Sequence, residues 1–269
     1  MGVVKKEEII FLDFPHPGSS STESIPDTSI WFSRIFEEEL SEDSHKQRLG
    51  QASLKLLDEY SSKNKFIAVL DTISWEFSDM VSHKVEEFSL LIRRYLLNAK
   101  KRIEEGENKN EVFREISNEI KSNPHFNSIY HYFEWRGKGF SNVYNNPSLR
   151  GEFFRLLHRL PSHAVVSFDV ITHKFVRRWV KDSIMLWAID FKNFFFLFQK
   201  NTPNIGKKDR FHLIGCIMLC CSGKRPVQFI TFDEKILNVA NAVIDFLDHN
   251  KSLLSEQFSK LLIEETITA

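Results

Sequence analysis

FIAVLDTISWEFSDM, residues 66 to 80, changes its period partway along, and that change decides the fold. Phe66 to Leu70 is a continuous apolar run of strand length, closed by Asp71. From Ser74 the apolar residues recur every three or four positions through Met80, Val85, Phe88, Ile92 and Leu96, which is the spacing of a helix face. A buried strand feeding directly into an amphipathic helix is half of a βαβ unit.

The same alternation extends in both directions. EIIFLDF (8 to 14), AVVSFDV (164 to 170) and VQFITF (227 to 232) have strand length and apolar content. Helical spacing appears from His45 to Tyr60 through Leu49, Ala52 and Leu56, and again through Val112, Phe113, Ile116 and Ile120. SLRGEFFRLLHRL (148 to 160) is helical and is expected to stop at Pro161, and a further helix should carry Phe175 and Trp179. FHLIGCIML and the segment with Ile236, Val239, Val243 and Phe246 complete the set. Short strands alternating with helices predict an α/β fold, a three-layer α/β/α sandwich around a mostly parallel sheet. Residues 81 to 160 form a helical insertion into a domain made of 24 to 80 and 161 to 250. Residues 1 to 23 are an N-terminal strand and mobile loop, and 251 to 269 a C-terminal helix or tail.

Composition excludes several classes. The 269 residues include 25 phenylalanines and 42% hydrophobic residues, enough for a sizeable core. Net charge is zero, so nothing global draws the chain to nucleic acid or membrane. Cys216, Cys220 and Cys221 share one apolar run without metal or redox spacing, which suits small buried hydrophobes in a reduced, cytoplasmic protein. The greasy run around Phe194 is broken by Asp190 and Lys192, against a membrane span.

Ligands in open parallel sheets gather beyond the carboxyl ends of the strands, so the acids there carry the functional argument. Asp27 follows SIP and precedes TSIWF; Glu76 lies in the first helical turn after FIAVLD; Asp209 opens the cysteine helix; Asp233 closes VQFIT. Each alone has a plain structural role, as a helix cap or a partner of the helix dipole. Together, PDTSIW, LDTISWEF, KKDRFHLIGCI and FITFDEKI resemble the PIN-domain family. The resemblance implies a divalent-metal-dependent ribonuclease, a Mg²⁺- or Mn²⁺-dependent endoribonuclease. In it Asp27 and Asp209 hold the ion directly, Glu76 and Asp233 complete the acidic pocket, and Thr28 and Thr231 orient carboxylates or water. Phosphodiester hydrolysis by metal-activated water needs such a set of hard oxygen donors. A non-catalytic PIN-like module binding RNA or protein is the alternative. Asp13, after the more apolar strand IIFLD, is the competing first acid, and Asp169, Asp182 and Asp190 are the substitutes for Asp209.

Arg136, Lys138 and Arg150 lie among aromatic residues in the insertion, and Lys207 and Lys208 precede Asp209. Cations interleaved with rings suit single-stranded RNA. Partners expected from the resemblance are RNA, an antitoxin-like protein and a second copy of the chain, with no membrane. The ten histidines show no metal-ligand spacing; His212, one turn into the cysteine helix, either faces the acids or packs, and packing is the expectation. Trp31 and Trp75 are likewise expected to pack rather than stack on a base.

Overall fold

The computed structural model describes residues 2–14, 22–37, 44–63, 65–123, 126–135, 137–176, 178–182, 189–223, 226–249 and 263–266. The strands are β1 (Gly2–Lys6), β2 (Ile9–Phe14), β3 (Glu23–Pro26), β4 (Phe66–Leu70), β5 (Arg178–Lys181), β6 (Val227–Thr231) and β7 (Ile263–Thr266). They form one sheet in the order β1-β2-β6-β3-β4-β5-β7. The four central strands β6, β3, β4 and β5 are mutually parallel. Antiparallel pairs flank them: β1 and β2 on one side, β7 on the other. The protein is therefore α/β with a mixed sheet whose parallel part is central.

The helices are α1 (Thr28–Phe32), α2 (Ser44–Ser62), α3 (Asp71–Glu104), α4 (Lys109–Ser122), α5 (Asn127–Trp135), α6 (Phe140–Asn145), α7 (Pro147–Phe175), α8 (Ile189–Asn201), α9 (Lys207–Gly223) and α10 (Lys235–His249). The chain divides into two compact units. One, comprising residues 1–34, 51–77 and 169–269, holds the sheet; the other comprises 35–50 and 78–168. The second unit thus takes in the expected insertion, 81–160, and adds 35–50, 78–80 and 161–168. No helix among the described residues is long and apolar enough to cross a membrane.

In the sheet unit Ile67, Ala68, Val69 and Leu70 are all fully buried, so both faces of β4 are covered. Helix α9 is buried all round: Leu213, Ile214, Cys216, Ile217, Met218 and Leu219 are each at most 1% exposed. Gly215 makes this possible, because a β-carbon there would lie 2.7 Å from a Leu70 methyl and 3.0 Å from Asp182 Oδ2. The two described thiol side chains, Cys216 and Cys220, are core groups as expected.

Strand β3 is central yet polar, which is why its sequence does not look like a core strand. Glu23 is 1% exposed and accepts from the Arg178 guanidinium at 2.5 Å. The register aligns Glu23 with Phe66 and Ala68 with Arg178, so all four share one face. Arg178 must cross β4 to reach Glu23, and the small Ala68 leaves it room.

Three expectations fail in the second half of the chain: the helix stop at Pro161, the strand at 164–170 and the helix carrying Trp179. Residues 164–170 are helix, not strand: α7 runs through Pro161 to Phe175. Leu157, Leu160, Ala164, Phe168, Thr172 and Phe175 are buried, while Val166 and Val170 are 59% and 65% exposed. That is helical spacing; a strand would have buried alternate residues. Pro161 removes one amide donor, which a long packed helix tolerates at the cost of one bond. Trp179 lies in β5 rather than in a helix. The N-terminal segment is more than an appendage, because β1 and β2 form a hairpin that extends the sheet from β6. Residues 15–21 and 251–262, expected as loop and tail, lie outside the described residues, and 263–266 forms the edge strand β7.

Candidate metal site at the strand ends

The chain leaves β3 for β4 and β5 on one side and returns to place β6 on the other. The carboxyl ends of β3 and β6 are therefore neighbours at a topological switch point, where open α/β sheets form their ligand crevices. Asp27 follows β3 and is held there by its own amide, which donates to the Ile230 carbonyl at 2.7 Å. It occupies the N-cap position of α1, yet its side chain makes no capping hydrogen bond. The carboxylate turns instead into the crevice. Its Oδ2 accepts from Thr231 Oγ1 at 2.9 Å and Ser29 Oγ at 3.1 Å. Its Oδ1 lies 3.2 Å from His212 Nδ1.

Glu76 enters from the first turns of α3, with Oε2 accepting from Thr28 Oγ1 at 2.6 Å and standing 3.5 Å from His212 Nε2. Ligand atoms of Asp27, Glu76 and His212 all lie within 4.8 Å of one another. Asp209 and His212 come from the one end of α9 that emerges from the core, three residues apart and so on one face. Arg210 ties down the preceding loop through the carbonyls of Thr202 at 3.2 Å and Pro203 at 3.0 Å. The Asp209 carboxylate lies against Gly206, where a β-carbon would meet Oδ2 at 2.7 Å. Asp233 follows β6. One of its oxygens receives the Lys235 amide at 2.9 Å, starting α10.

The group with ligand atoms in mutual reach is Asp27, Glu76 and His212; Asp209 and Asp233 are not in it, although Asp209 feels the charges of the other three acids. Burial pushes the Asp209 carboxyl up to about 6, helped by the charges of Asp27, Asp233 and Glu76 and opposed by His212. Burial also raises Asp27, but the hydrogen bond and charge of His212 and the Thr231 hydroxyl outweigh it and hold that carboxyl below its ordinary range. For His212, burial lowers the imidazole, while the bond to Asp27 and the charges of Asp27, Glu76 and Asp182 raise it overall. The donor set fits a divalent cation: converging carboxylates and one imidazole, partly dehydrated, with repulsion that an ion would relieve. A buried acid and histidine group able to hold an ion is thus present.

Asp209 supplies a direct test of that repulsion. Its proton is bound more tightly in the folded than in the unfolded protein. Its favourable contribution is therefore complete only below the unfolded pKa and is lost as pH rises through about 6. In metal-free protein at pH 8, Asp209→Asn should be more stable than wild type by on the order of 1–2 kcal/mol, after allowance for solvent screening. The gap should close towards pH 4. Thermal melts in chelator across that range check it; a gap independent of pH would refute it.

Other candidates separate cleanly. Asp13 sits on β2 opposite Gln228, whose amide it accepts at 2.7 Å. Because β2 runs antiparallel to β6, that end of β2 is at the far edge of the sheet from Thr231, and Asp13 is no part of this crevice. Asp169 is on the surface of α7, and the side chain of Asp190 lies outside the described residues. Asp182 is buried behind the site, accepting from the Thr72 amide at 3.0 Å and the Thr72 hydroxyl at 2.5 Å. It steadies the first turn of α3, four residues before Glu76. Burial and the Asp71 carboxyl beside it keep its own carboxyl well above the usual range.

His212 corrects the sequence reading: it is 1% exposed but faces two carboxylates rather than apolar neighbours. The available signal was its position one helical turn after Asp209. Trp31 packs as expected, fully buried and donating from its indole to the Pro26 carbonyl at 3.0 Å. Trp75 does not; it is 55% exposed on the residue before Glu76. Among the basic candidates, Lys138 pairs with Glu152 at 2.7 Å. Arg150 donates to the carbonyls of Val143 at 3.1 Å and Tyr144 at 2.6 Å. Both are engaged within their own unit. Arg136 lies outside the described residues. Lys207 and Lys208 are exposed in the first turn of α9. Comparison with protein-family models, with curated proteins and with solved structures gives no significant match.

Proposed function

We propose that the protein is a PIN-like, divalent-metal-dependent endoribonuclease with an α/β/α core. The observation that supports this reading is the meeting of Asp27, Glu76 and His212 in one group able to hold an ion at the strand ends, with Asp209 near enough for the charges of Asp27, Asp233 and Glu76 to raise its carboxyl. Helix caps scattered along the chain have no reason to meet there. Asp27 and Glu76 would hold the ion, and Asp209 and Asp233 would add negative charge to its surroundings. A bound divalent ion supplies activated water and neutralises charge developing on the leaving oxygen.

The chain's own groups set up that chemistry. Thr231 and Ser29 fix the Asp27 carboxylate, and Thr28 fixes Glu76, so neither acid must reorient when a substrate arrives. The approaching phosphodiester is an anion meeting an acidic pocket, so nearby cations are needed to admit it. We assign this role to Lys207 and Lys208, exposed two residues and one residue before Asp209. Trp75 offers an exposed ring beside Glu76 for a base of single-stranded RNA.

Purified protein should cleave single-stranded RNA in Mg²⁺ or Mn²⁺ and stop in chelator. Replacing Lys207 and Lys208 together with Ala should weaken RNA binding and reduce the slope of affinity against salt by about one to two ion equivalents. RNA bound tightly but left intact in every divalent ion would favour the non-catalytic PIN-like module instead.

A further inference from the structure

We propose that His212 is itself a metal ligand, so that the site selects a first-row divalent transition-metal ion over Mg²⁺. The inference deepens the metal-dependent nuclease reading and rests on its metal site. His212 is a buried polar side chain with an acidic oxygen at each ring nitrogen: Asp27 Oδ1 at 3.2 Å from Nδ1 and Glu76 Oε2 at 3.5 Å from Nε2. A neutral imidazole has one N–H and can donate to only one of them. The Asp27 contact has hydrogen-bond length, whereas the Glu76 contact is longer than a good N–H···O bond.

The two contacts therefore divide into different roles. In this assignment Nδ1–H would donate to Asp27, which would set the tautomer and the ring plane. In the loaded protein Nε2 would face the Glu76 oxygen with the cation between them. Two donors that each stand about 2.0–2.2 Å from one ion are themselves about 3 Å or more apart, so the gap has the right size. Mg²⁺ prefers oxygen donors and retained waters, whereas transition-metal ions accept imidazole readily. A proton on each nitrogen is the competing way to satisfy both acids, and it leaves no nitrogen for the metal.

The test uses the full chain, stripped with chelator and loaded with Mn²⁺ as a paramagnetic probe. Pulsed electron paramagnetic resonance should detect a nitrogen-14 coupling from one imidazole on the bound Mn²⁺. In His212→Gln that coupling should vanish and Mn²⁺ affinity should fall by about tenfold or more. Mg²⁺ affinity should change by less than about threefold, since an all-oxygen ion gains little from the ring. Mn²⁺ bound by wild type without nitrogen coupling would overturn the proposal, and it needs no variant to be seen. Equal losses for both ions would also overturn it. Nitrogen-coupled Mn²⁺ in a protein that cleaves no RNA would remove the nuclease reading while leaving His212 as a ligand. Mg²⁺-supported cleavage with no nitrogen coupling would do the reverse.

Discussion

Asp27→Asn should reduce metal-dependent RNA cleavage by about 10²–10³-fold, the scale of losing one preorganised electrostatic element of an active site. The substitution keeps the shape of the side chain and its capacity to accept from Thr231, so the metal-free protein should retain its fold. It removes the charge on which both the ion and the His212 contact depend. The paired control is Asp13→Asn. That residue follows the more apolar strand in the sequence but lies at the opposite end of β6, against Gln228, and its neutralisation should leave cleavage unchanged. The measurement is single-turnover cleavage of a single-stranded RNA at saturating Mn²⁺, with circular dichroism to confirm folding. Activity surviving Asp27→Asn but lost in Asp13→Asn would mean that the crevice at the ends of β3 and β6 is not the active site.

The largest effect on stability should come from the centre of the sheet. Arg178→Met leaves the Glu23 carboxylate buried without the guanidinium that now reaches it across β4. Breaking a buried pair from one side costs about 3–5 kcal/mol, because the surviving charge stays dehydrated. Replacing both residues, Glu23→Leu with Arg178→Met, should recover most of that loss, since an apolar pair in a sheet core is often as stable as the ions. Chemical denaturation of the two single variants and the double variant closes the cycle. Additive losses in the double variant would show that the two side chains do not act as a pair. The recovered double variant should also keep its metal site, because Glu23 and Arg178 open β3 and β5 whereas Asp27 stands beyond the other end of β3.

Much of the site was legible because strand ends are legible. FIAVLD and VQFIT have apolar runs that stop abruptly, and residues just past the carboxyl end of a parallel strand face the ligand crevice whatever the rest of the chain does. That rule singled out Glu76 and Asp233 and the order of the short motifs added Asp27 and Asp209; of these, Asp27 and Glu76 lie with His212 in the group able to hold an ion. The strand before Asp27 was illegible for a physical reason: its burial is achieved by an ion pair with Arg178, 155 residues away, and not by apolar side chains. Residues 164–170 misled because β-branched residues crowd a helix whose buried face is formed by Ala164 and Phe168, with Val166 and Val170 turned out to solvent.

Local sequence therefore determined where period changes, where strands end and which acids stand beyond them, since these depend on neighbours within a few residues. Tertiary structure decided which acids meet. The antiparallel setting of β2 removed Asp13, and the burial of α9 brought His212 to Asp27 and Glu76. A histidine's role depends on what faces its two nitrogens. Those partners arrive from segments more than a hundred residues away, through packing that no local pattern records.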